Sequence, residues 1–250
     1  MKNFLTIFLF LGAIFISENG WAAALSDFEA ANAKYSHGDY QEAVSLYEKM
    51  IASGKGTAAV YYNLGNAAFR AEDKGKALVA YERAHGLSPR DRDVEWNKAI
   101  LKSALSDRIE DSDDNVFISS VQRLLEWVTV DETALVLSLM LAVLFLISAL
   151  NFFSHKSKSL TSGIGGFFVL ILVLSAAVFY FKWLTVKDRH VVVLDKEVTA
   201  RYGPSDKETK AFVLHEGAEA KILDRTDGWY YVVLQNKSTG WLSKKSCEII

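Results

Sequence analysis

The chain has 250 residues, a formal net charge of −2 and 50% hydrophobic residues. This length is enough for two small domains together with membrane segments. The nearly balanced charge argues against a nucleic-acid partner, and the single cysteine, Cys247, excludes an intrachain disulfide.

Residues 1–24 have the pattern of a secretory signal peptide. Lys2 precedes an apolar run from Phe4 to Ile16, and small residues follow at Ala22 and Ala24. A charged start, a short apolar core and an A-x-A-like site are typical of a cleaved signal, and the core is too short to span a bilayer comfortably. We expect cleavage after Ala22 or Ala24 and export of the segment that follows.

The segment 25–105 is predicted to form helical repeats, because residues of one type recur at a fixed distance. Ala43 and Tyr47 return 34 positions later as Ala77 and Tyr81. The same distance separates three further sets, which are Phe28, Tyr62 and Trp96; Asn32 and Asn66; and Asn63 and Asn97. Asp91 to Leu105 is predicted to be an unpaired capping helix. An ordinary helical bundle is the alternative interpretation.

The motif of the second unit consists of Tyr61, Leu64, Gly65, Ala77, Tyr81, Ala84 and Pro89. It resembles the tetratricopeptide repeat. The first unit is degenerate, since Ala30 and Ala31 replace the Leu-Gly pair. The resemblance implies that Gly65 lets two helices approach closely, with Ala77 and Ala84 opposite it. It also implies a concave protein-binding surface formed by the first helix of each unit.

By helical phase, this concave surface is predicted to contain Phe28, Asn32, Tyr35, Tyr62, Asn63, Asn66, Phe69, Trp96 and Asn97. Asparagine amides both donate and accept hydrogen bonds, so they suit an extended peptide backbone. They could equally cap local turns. Some members of the repeat family clamp a carboxylate with cations, but Phe28 and Asp93 stand at those positions here. We therefore expect peptide or helix binding without such a clamp.

The segment 106–132 is predicted to be an acidic linker followed by an amphipathic juxtamembrane helix. Asp111, Asp113 and Asn115 alternate as in a calcium loop, but the glycine and glutamate that such a loop requires are absent. No metal site is expected. The helix, from Val116 to about Val128, would lie either in the membrane interface with Trp127 at headgroup depth or against the last repeat helix.

Two apolar runs, 133–153 without a charge and 163–184 with only Lys182 near its end, predict a transmembrane hairpin, because each has about 20 residues and matches ~30 Å of hydrocarbon. The loop 154–162 carries Lys156 and Lys158, which favours the cytoplasmic side. The repeats and the tail are then expected in the periplasm, with the hairpin in the bacterial inner membrane. Lys182, Lys187 and Arg189 oppose this orientation.

The tail, 188–250, is predicted to be a small β module. The predicted strands are Val191–Leu194, Phe212–Leu214, Ala220–Leu223, Trp229–Leu234 and Gly240–Leu242, with turns at Gly203-Pro204 and Asp227-Gly228. The motifs V-T-A-R-Y-G-P-S, L-H-E-G, D-G-W-Y-Y-V and G-W-L resemble a bacterial SH3-type barrel. The resemblance implies a peptide or cell-wall ligand on Tyr202, Trp229, Tyr231 and Trp241, although these rings could instead form the core. The hairpin at Asn236–Thr239 is expected to be irregular.

Motifs of catalysis are absent from the sequence. None of the five histidines lies in an H-E-x-x-H motif or beside a recognised nucleophile, and no glycine pattern would hold a phosphate. We therefore expect a non-enzymatic protein that needs no cofactor.

The fold class is thus predicted to be a multidomain membrane protein with an all-α repeat domain, a two-helix transmembrane hairpin and an all-β SH3-like barrel. This order resembles the BatE-type proteins of the Bacteroides aerotolerance (Bat) group. The resemblance implies a scaffold that binds von Willebrand A-type Bat proteins in the periplasm under oxidative or envelope stress. Two alternatives stay open: a peptidoglycan receptor that uses the tail, and an assembly subunit that acts through its membrane hairpin.

Overall fold

The computed structural model describes residues 25–107, 127–153, 158–187 and 189–250. They fall into two compact units, one with residues 25–107 and 191–250 and the other with the described residues between 127 and 190. Several predictions lie outside the described residues. They are the signal peptide, the calcium-like spacing, the amphipathic helix up to residue 126 and the first part of the loop 154–162.

Five helices of the first unit follow the predicted period. They are α1 (25–36), α2 (Tyr40–Ala52), α3 (Ala58–Arg70), α4 (Lys74–Leu87) and α5 (Arg92–Ser103). The start of α4 lies one full repeat period after that of α2, and α5 begins one period after α3. Neighbouring helices pack against one another. The segment is therefore a helical repeat, in which α5 is an unpaired last helix.

Side-chain caps fix the starts of three of these helices. The Thr57 hydroxyl accepts a hydrogen bond from the Val60 amide, and the Asp73 carboxylate accepts one from Lys76. Asp91 does the same for α5. Each cap satisfies an amide that has no partner within its helix. The end of α4 lies two residues before Pro89, which cannot continue a helix.

Small residues let the helices of the repeats pack closely. A Cβ atom at Gly65 would lie 2.6 Å from the Tyr81 ring, so only glycine leaves room for that ring. Ala43, Ala77 and Ala84 are fully buried. Close approach at Gly65 is as expected, but the side chain directly against it is the ring of Tyr81 rather than one of the alanines.

The C-terminal part forms one antiparallel sheet in the order β3-β2-β6-β5-β4-β1-β7. Its strands are β1 (His190–Val193), β2 (Glu197–Arg201), β3 (Lys210–His215), β4 (Glu219–Thr226), β5 (Trp229–Val233), β6 (Thr239–Ser243) and β7 (Cys247–Ile249). Five of them are predicted from the sequence, whereas β2 and β7 are not. Gly228 has φ +80° in the predicted Asp227-Gly228 turn, and Lys237 takes φ +66° in the irregular β5–β6 hairpin.

The prediction of a closed barrel is wrong, because β3 and β7 remain the two edges of the sheet. The reason lies in β1, whose two faces are both buried. Val191 and Val193 belong to the core of the sheet, whereas Val192 belongs to the core of the helical repeats. The repeats thus cover the face of β1 that an isolated barrel would turn to solvent.

The repeats and the sheet belong to one compact unit, in which the core of the repeats and the core of the sheet meet at β1. Val192 is fully buried, and Leu105, Leu194 and Ile250 pack against the same cluster as the helices. Buried apolar contact of this kind is the dominant favourable contribution to folding. The motifs indicate distinct modules, and the structure places both in one compact unit.

Gly75 lets α4 approach the sheet closely. A Cβ atom there would lie 2.7 Å from the Val193 carbonyl oxygen and 3.0 Å from the Leu194 Cα atom. The Gly75 amide donates a 3.0 Å hydrogen bond to Glu216, whose side chain is buried and also accepts from Lys196. A carboxylate at a helix N-terminus satisfies an unpaired amide and interacts favourably with the helix dipole.

The second unit contains α6 (Val130–Phe153) and α7 (Lys158–Lys187), which pack against each other. At the start of α6, Thr129 and Glu132 each bind the other's backbone amide, which forms a capping box. The stretch Val130–Ala149 is long and apolar enough to cross a membrane. In α7 the described apolar stretch, Gly166–Tyr180, is shorter. One of the two predicted spans is thus supported by length and composition.

We predict that Gly75→Ala weakens the docking of the sheet on α4. The new methyl group would meet backbone atoms that cannot rotate away, and overpacking of this kind costs about 1–3 kcal/mol. Thermal unfolding and amide exchange in β1 measure the effect.

Gly86→Ala is the matched control on the same helix. A Cβ atom there meets nothing within 4 Å, so the variant should gain about 0.5–1 kcal/mol from helix propensity. Equal stability of the two alanine variants would contradict the close approach at Gly75.

Candidate functional site

The predicted concave surface of the repeats, which we call the groove, is built on hydrogen bonds among asparagine and tyrosine side chains. In the first set, the Tyr47 hydroxyl donates to Asn32 Oδ1 at 2.6 Å, and Asn63 Nδ2 donates to the same oxygen at 3.0 Å. These residues lie on α2, α1 and α3, so one amide oxygen joins three helices.

The second set repeats the first one a full repeat period further along the chain. The Tyr81 hydroxyl donates to Asn66 Oδ1 at 2.7 Å, and Asn97 Nδ2 donates to that oxygen at 2.9 Å. Asn97 also donates to the Tyr62 hydroxyl at 3.0 Å. We call the four amides, Asn32, Asn63, Asn66 and Asn97, the asparagine ladder. The ladder crosses α1, α3 and α5.

Two buried tyrosines hold the ladder from behind. Tyr47 and Tyr81 are each 1% exposed and come from the second helix of each repeat. Burial raises the pKa of Tyr47 to about 12, and it raises the pKa of Tyr81 as well. Both hydroxyls therefore keep their protons at physiological pH and act as fixed donors to Asn32 and Asn66.

The ladder keeps polar atoms that a ligand can use. Among the described residues, Nδ2 of Asn32 and Asn66 and Oδ1 of Asn63 and Asn97 have no hydrogen-bond partner within the protein. The alternative that these residues cap local turns is not what the structure shows, because their bonds cross between helices. An alternation of free donors and acceptors matches an extended peptide backbone.

Aromatic side chains flank the ladder. Phe28, Tyr35, Tyr62 and Phe69 are half-buried against the repeat core. Trp96, in contrast, is 70% exposed. Ile100, one helical turn further along α5, is also exposed and was missed by sequence reasoning, although its spacing from Trp96 was a usable signal. These two residues form the most exposed apolar part of the predicted groove.

The predicted aromatic contacts of the tail lie outside the core of the sheet. Tyr231 and Trp241 face each other on β5 and β6, with ring centroids 5.1 Å apart, and Arg201 is the register partner of Trp241. Tyr202 is 69% exposed, and Trp229 is half-buried. The aromatic rings that pack on the core are those of Phe212 and Tyr230 instead. A half-exposed aromatic pair therefore stands on the outer face of the sheet.

A charged network that the sequence did not predict lies where the sheet meets the repeats. Lys102 of α5 is 2.9 Å from both Glu82 of α4 and Glu219 of β4, and Lys98 is 3.1 Å from Glu82. Burial disfavours the Glu82 carboxylate, but the two lysines outweigh it and lower its pKa. Partners that lie far apart in the sequence leave no local signal, so only the fold reveals them.

Asp107 and His215 tie the end of the repeats to β3. The Asp107 carboxylate accepts from the His215 amide at 2.6 Å and contacts the ring Nδ1 at 2.9 Å. The hydrogen bond and the charge of Asp107 raise the pKa of His215 above its usual value. The stability that this contact contributes therefore depends on pH.

No model of a known protein family matches this chain, and no curated protein matches its sequence. The chemistry of the residues themselves must therefore support any functional assignment.

Cys247 is buried, and burial raises the pKa of its thiol to about 12, which keeps the sulfur protonated. Within the described ranges, no group of three or more histidine, cysteine or acidic residues could hold a metal ion.

We predict that Asn66→Ala destabilises the protein by about 1–3 kcal/mol, because it leaves the buried Tyr81 hydroxyl without an acceptor. Asn97→Ala should cost less, since Asn66 keeps its bond to Tyr81. Urea unfolding measures both variants. In a double-mutant cycle, adding Tyr81→Phe to Asn66→Ala should restore part of the loss, and strict additivity would contradict the role of this hydrogen bond.

We also predict that the Asp107–His215 contact stabilises the protein more at acidic than at alkaline pH. A raised histidine pKa means that the gain is complete below the unfolded value of 6.5 and is lost as pH rises through the folded value. The free energy of unfolding, compared between wild type and Asp107→Asn from about pH 5 to pH 8.5, should show a difference that shrinks with pH. A difference that is constant over this range would refute the prediction.

Proposed function

We propose that the chain is a non-enzymatic, membrane-anchored adaptor that binds a partner protein through the groove of its helical repeats. The asparagine ladder is the observation that carries this proposal. Its unpaired amide donors and acceptors lie on three adjacent helices, and buried tyrosines fix their positions. Binding to a preformed site loses less entropy than binding to a mobile one.

The composition of the groove favours an apolar, extended or helical segment of the partner. Trp96 and Ile100 provide exposed apolar surface, and tryptophan is enriched among residues that dominate binding energy. The ladder is uncharged, and Phe28 and Asp93 occupy the positions where a carboxylate clamp would need cations. The partner's backbone would then bind the ladder, and its apolar side chains would cover Trp96.

The architecture of the first unit supports anchoring by a membrane hairpin. The described residues on both sides of α6 and α7 belong to one compact unit, which a membrane cannot divide. If the chain between them enters a bilayer, it must then cross that bilayer an even number of times. If α6 spans the membrane, as its apolar length allows, α7 returns the chain to the original side.

The family resemblance then suggests a place for the adaptor. Repeats, paired spans and an SH3-like tail in this order resemble the BatE-type proteins of the Bat group. On that basis the protein would sit in the bacterial inner membrane with both folded parts in the periplasm. Its partners would be von Willebrand A-type Bat proteins, and its role would be in aerotolerance or envelope stress.

A second candidate function, peptidoglycan binding, is favoured by the outer face of the sheet. The Tyr231–Trp241 pair and the exposed Tyr202 lie outside the core, and stacked aromatic rings suit flat apolar faces of a ligand. Retention of the full-length protein on purified sacculi, and its loss in Tyr231→Ala/Trp241→Ala, would support this candidate. Equal retention of the two proteins would exclude the pair as the wall-binding surface.

We predict that Asn63→Ala/Trp96→Ala reduces the recovery of a Bat-type partner by roughly tenfold or more. Asn66 is left intact because it binds the buried Tyr81. The measurement is crosslinking and affinity purification of the full-length protein from its native membrane, followed by quantification of the von Willebrand A-type proteins.

Glu95→Ala is the control, since Glu95 is an exposed neighbour of Trp96 and belongs to no set of the ladder. It should leave recovery unchanged. Partners recovered equally with the double variant would place the contact on the spans or the sheet and would overturn the groove assignment.

A further inference from the structure

A charged cleft lies at the junction of the repeats and the sheet, and it is distinct from the ladder. Its volume is about 610 Å³, and it is lined by Phe69, Glu72, Lys74, Ser106, Lys196, His215 and Glu216. Ligand sites for small molecules usually measure about 300–1,000 Å³. The cleft is therefore large enough for a small ligand, and it exists only because the sheet docks on the repeats.

Glu72 adopts a backbone conformation that its residue type disfavours. It has φ +61° after the end of α3, whereas the equivalent position of the first repeat, one period earlier, is Gly38 with φ +87°. Glycine takes this left-handed conformation without steric cost, but glutamate does not. Strained residues of this kind concentrate at functional sites. A glutamate where the first repeat has glycine points to a use for its side chain.

The charges of the cleft divide into satisfied and unsatisfied groups. Lys196 is paired with the buried Glu216 and donates to the Glu72 carbonyl oxygen at 3.0 Å. Among the described residues, Lys74 makes no ion pair and donates only to the Ala104 carbonyl oxygen. The Glu72 carboxylate makes no hydrogen bond or ion pair there, although the Lys196 ammonium group is close enough to interact with its charge. One ammonium group and one carboxylate are thus left for a ligand.

His215 adds a third polar group to the wall of the cleft. Its Nδ1 atom contacts Asp107, and within the described chain its Nε2 atom has no partner. The Glu72 carboxylate lines the same cleft and would repel a phosphate or another polyanion placed against Lys74. The half-buried ring of Phe69 provides apolar surface.

We infer that this cleft binds a small zwitterion, namely a free amino acid or a short peptide with both ends unblocked. The Glu72 carboxylate would bind the ligand's ammonium group. Lys74 and His215 Nε2 would bind its carboxylate, and Phe69 would contact its apolar side chain. Charge-assisted hydrogen bonds to both ends would give selectivity against blocked ligands. The inference goes beyond the proposed adaptor function, because none of the ladder asparagines lines the cleft.

The test is isothermal titration calorimetry. The full-length protein in lipid nanodiscs is titrated with three forms of the dipeptide Ala-Phe. The three forms have free ends, an acetylated N-terminus or an amidated C-terminus. The free dipeptide should bind saturably, and each blocked form should bind roughly tenfold or more weakly.

Glu72→Gly is the decisive variant. Glycine suits the backbone of that position, so the variant should be at least as stable as wild type. It should nevertheless lose the preference for a free amino group. Lys74→Gln, which keeps a donor for Ala104, should lose the preference for a free carboxylate. Glu95→Gln is a control outside the cleft and should bind as wild type does.

Absence of saturable binding to the free dipeptide would overturn the inference. So would binding that neither blocked ends nor Glu72→Gly affects, because the two charges would then have no role. Neither result would bear on the adaptor proposal, whose test rests on Asn63 and Trp96 in the groove. If Asn63→Ala/Trp96→Ala loses the partner and the wild type binds no dipeptide, the adaptor function is supported and the zwitterion site is not.

Discussion

The organisation of the molecule depends on the contact between the start of α4 and the sheet. There the Glu216 carboxylate accepts a hydrogen bond from the Gly75 amide. The absence of a side chain on Gly75 also lets the backbone of β1 lie against the helix. The desolvation of a buried carboxylate is costly unless hydrogen bonds compensate it. The Gly75 amide and the Lys196 ammonium group provide those bonds, while Val192 contributes apolar burial in the repeat core. Because of this contact, segments at opposite ends of the chain form one unit.

Besides the charged cleft, that unit carries two surfaces that a ligand can reach. The sheet lies against α4, a second helix of the repeats, so the side chains of the first helices α1, α3 and α5 keep their ladder and the exposed Trp96. The outer face of the sheet keeps the Tyr231–Trp241 pair. Both surfaces belong to one compact folded unit rather than to domains on a flexible linker. A partner that contacted both would bind more tightly than either surface alone allows.

Local regularities of the sequence predicted much of this, and distant contacts were not predictable. The recurrence at a fixed period placed the helices because each repeat has the same packing problem, and it brought Asn32, Asn63, Asn66 and Asn97 to one face. Their bonds to Tyr47 and Tyr81 were not foreseen, since phase alone does not show which amides meet which hydroxyls. The SH3-like motifs indicated most strands, but the closed barrel was wrong, because Val192 is committed to the repeat core. Gly75 and Glu216 lie 141 residues apart, so no pattern within either segment revealed their contact.

Whether the repeats and the sheet form one folded unit on a single side of the membrane can be decided by cysteine labelling. In a Cys247→Ser background, single cysteines replace Ser53 in the repeats, Lys237 in the β5–β6 hairpin and Ser157 in the loop between the apolar segments. Sealed vesicles of known orientation are then treated with a membrane-impermeant maleimide. We expect Ser53→Cys and Lys237→Cys to react from the same side, and Ser157→Cys to react from the other. Labelling of Ser53→Cys and Lys237→Cys from opposite sides would contradict the single unit, because one compact unit cannot straddle a bilayer.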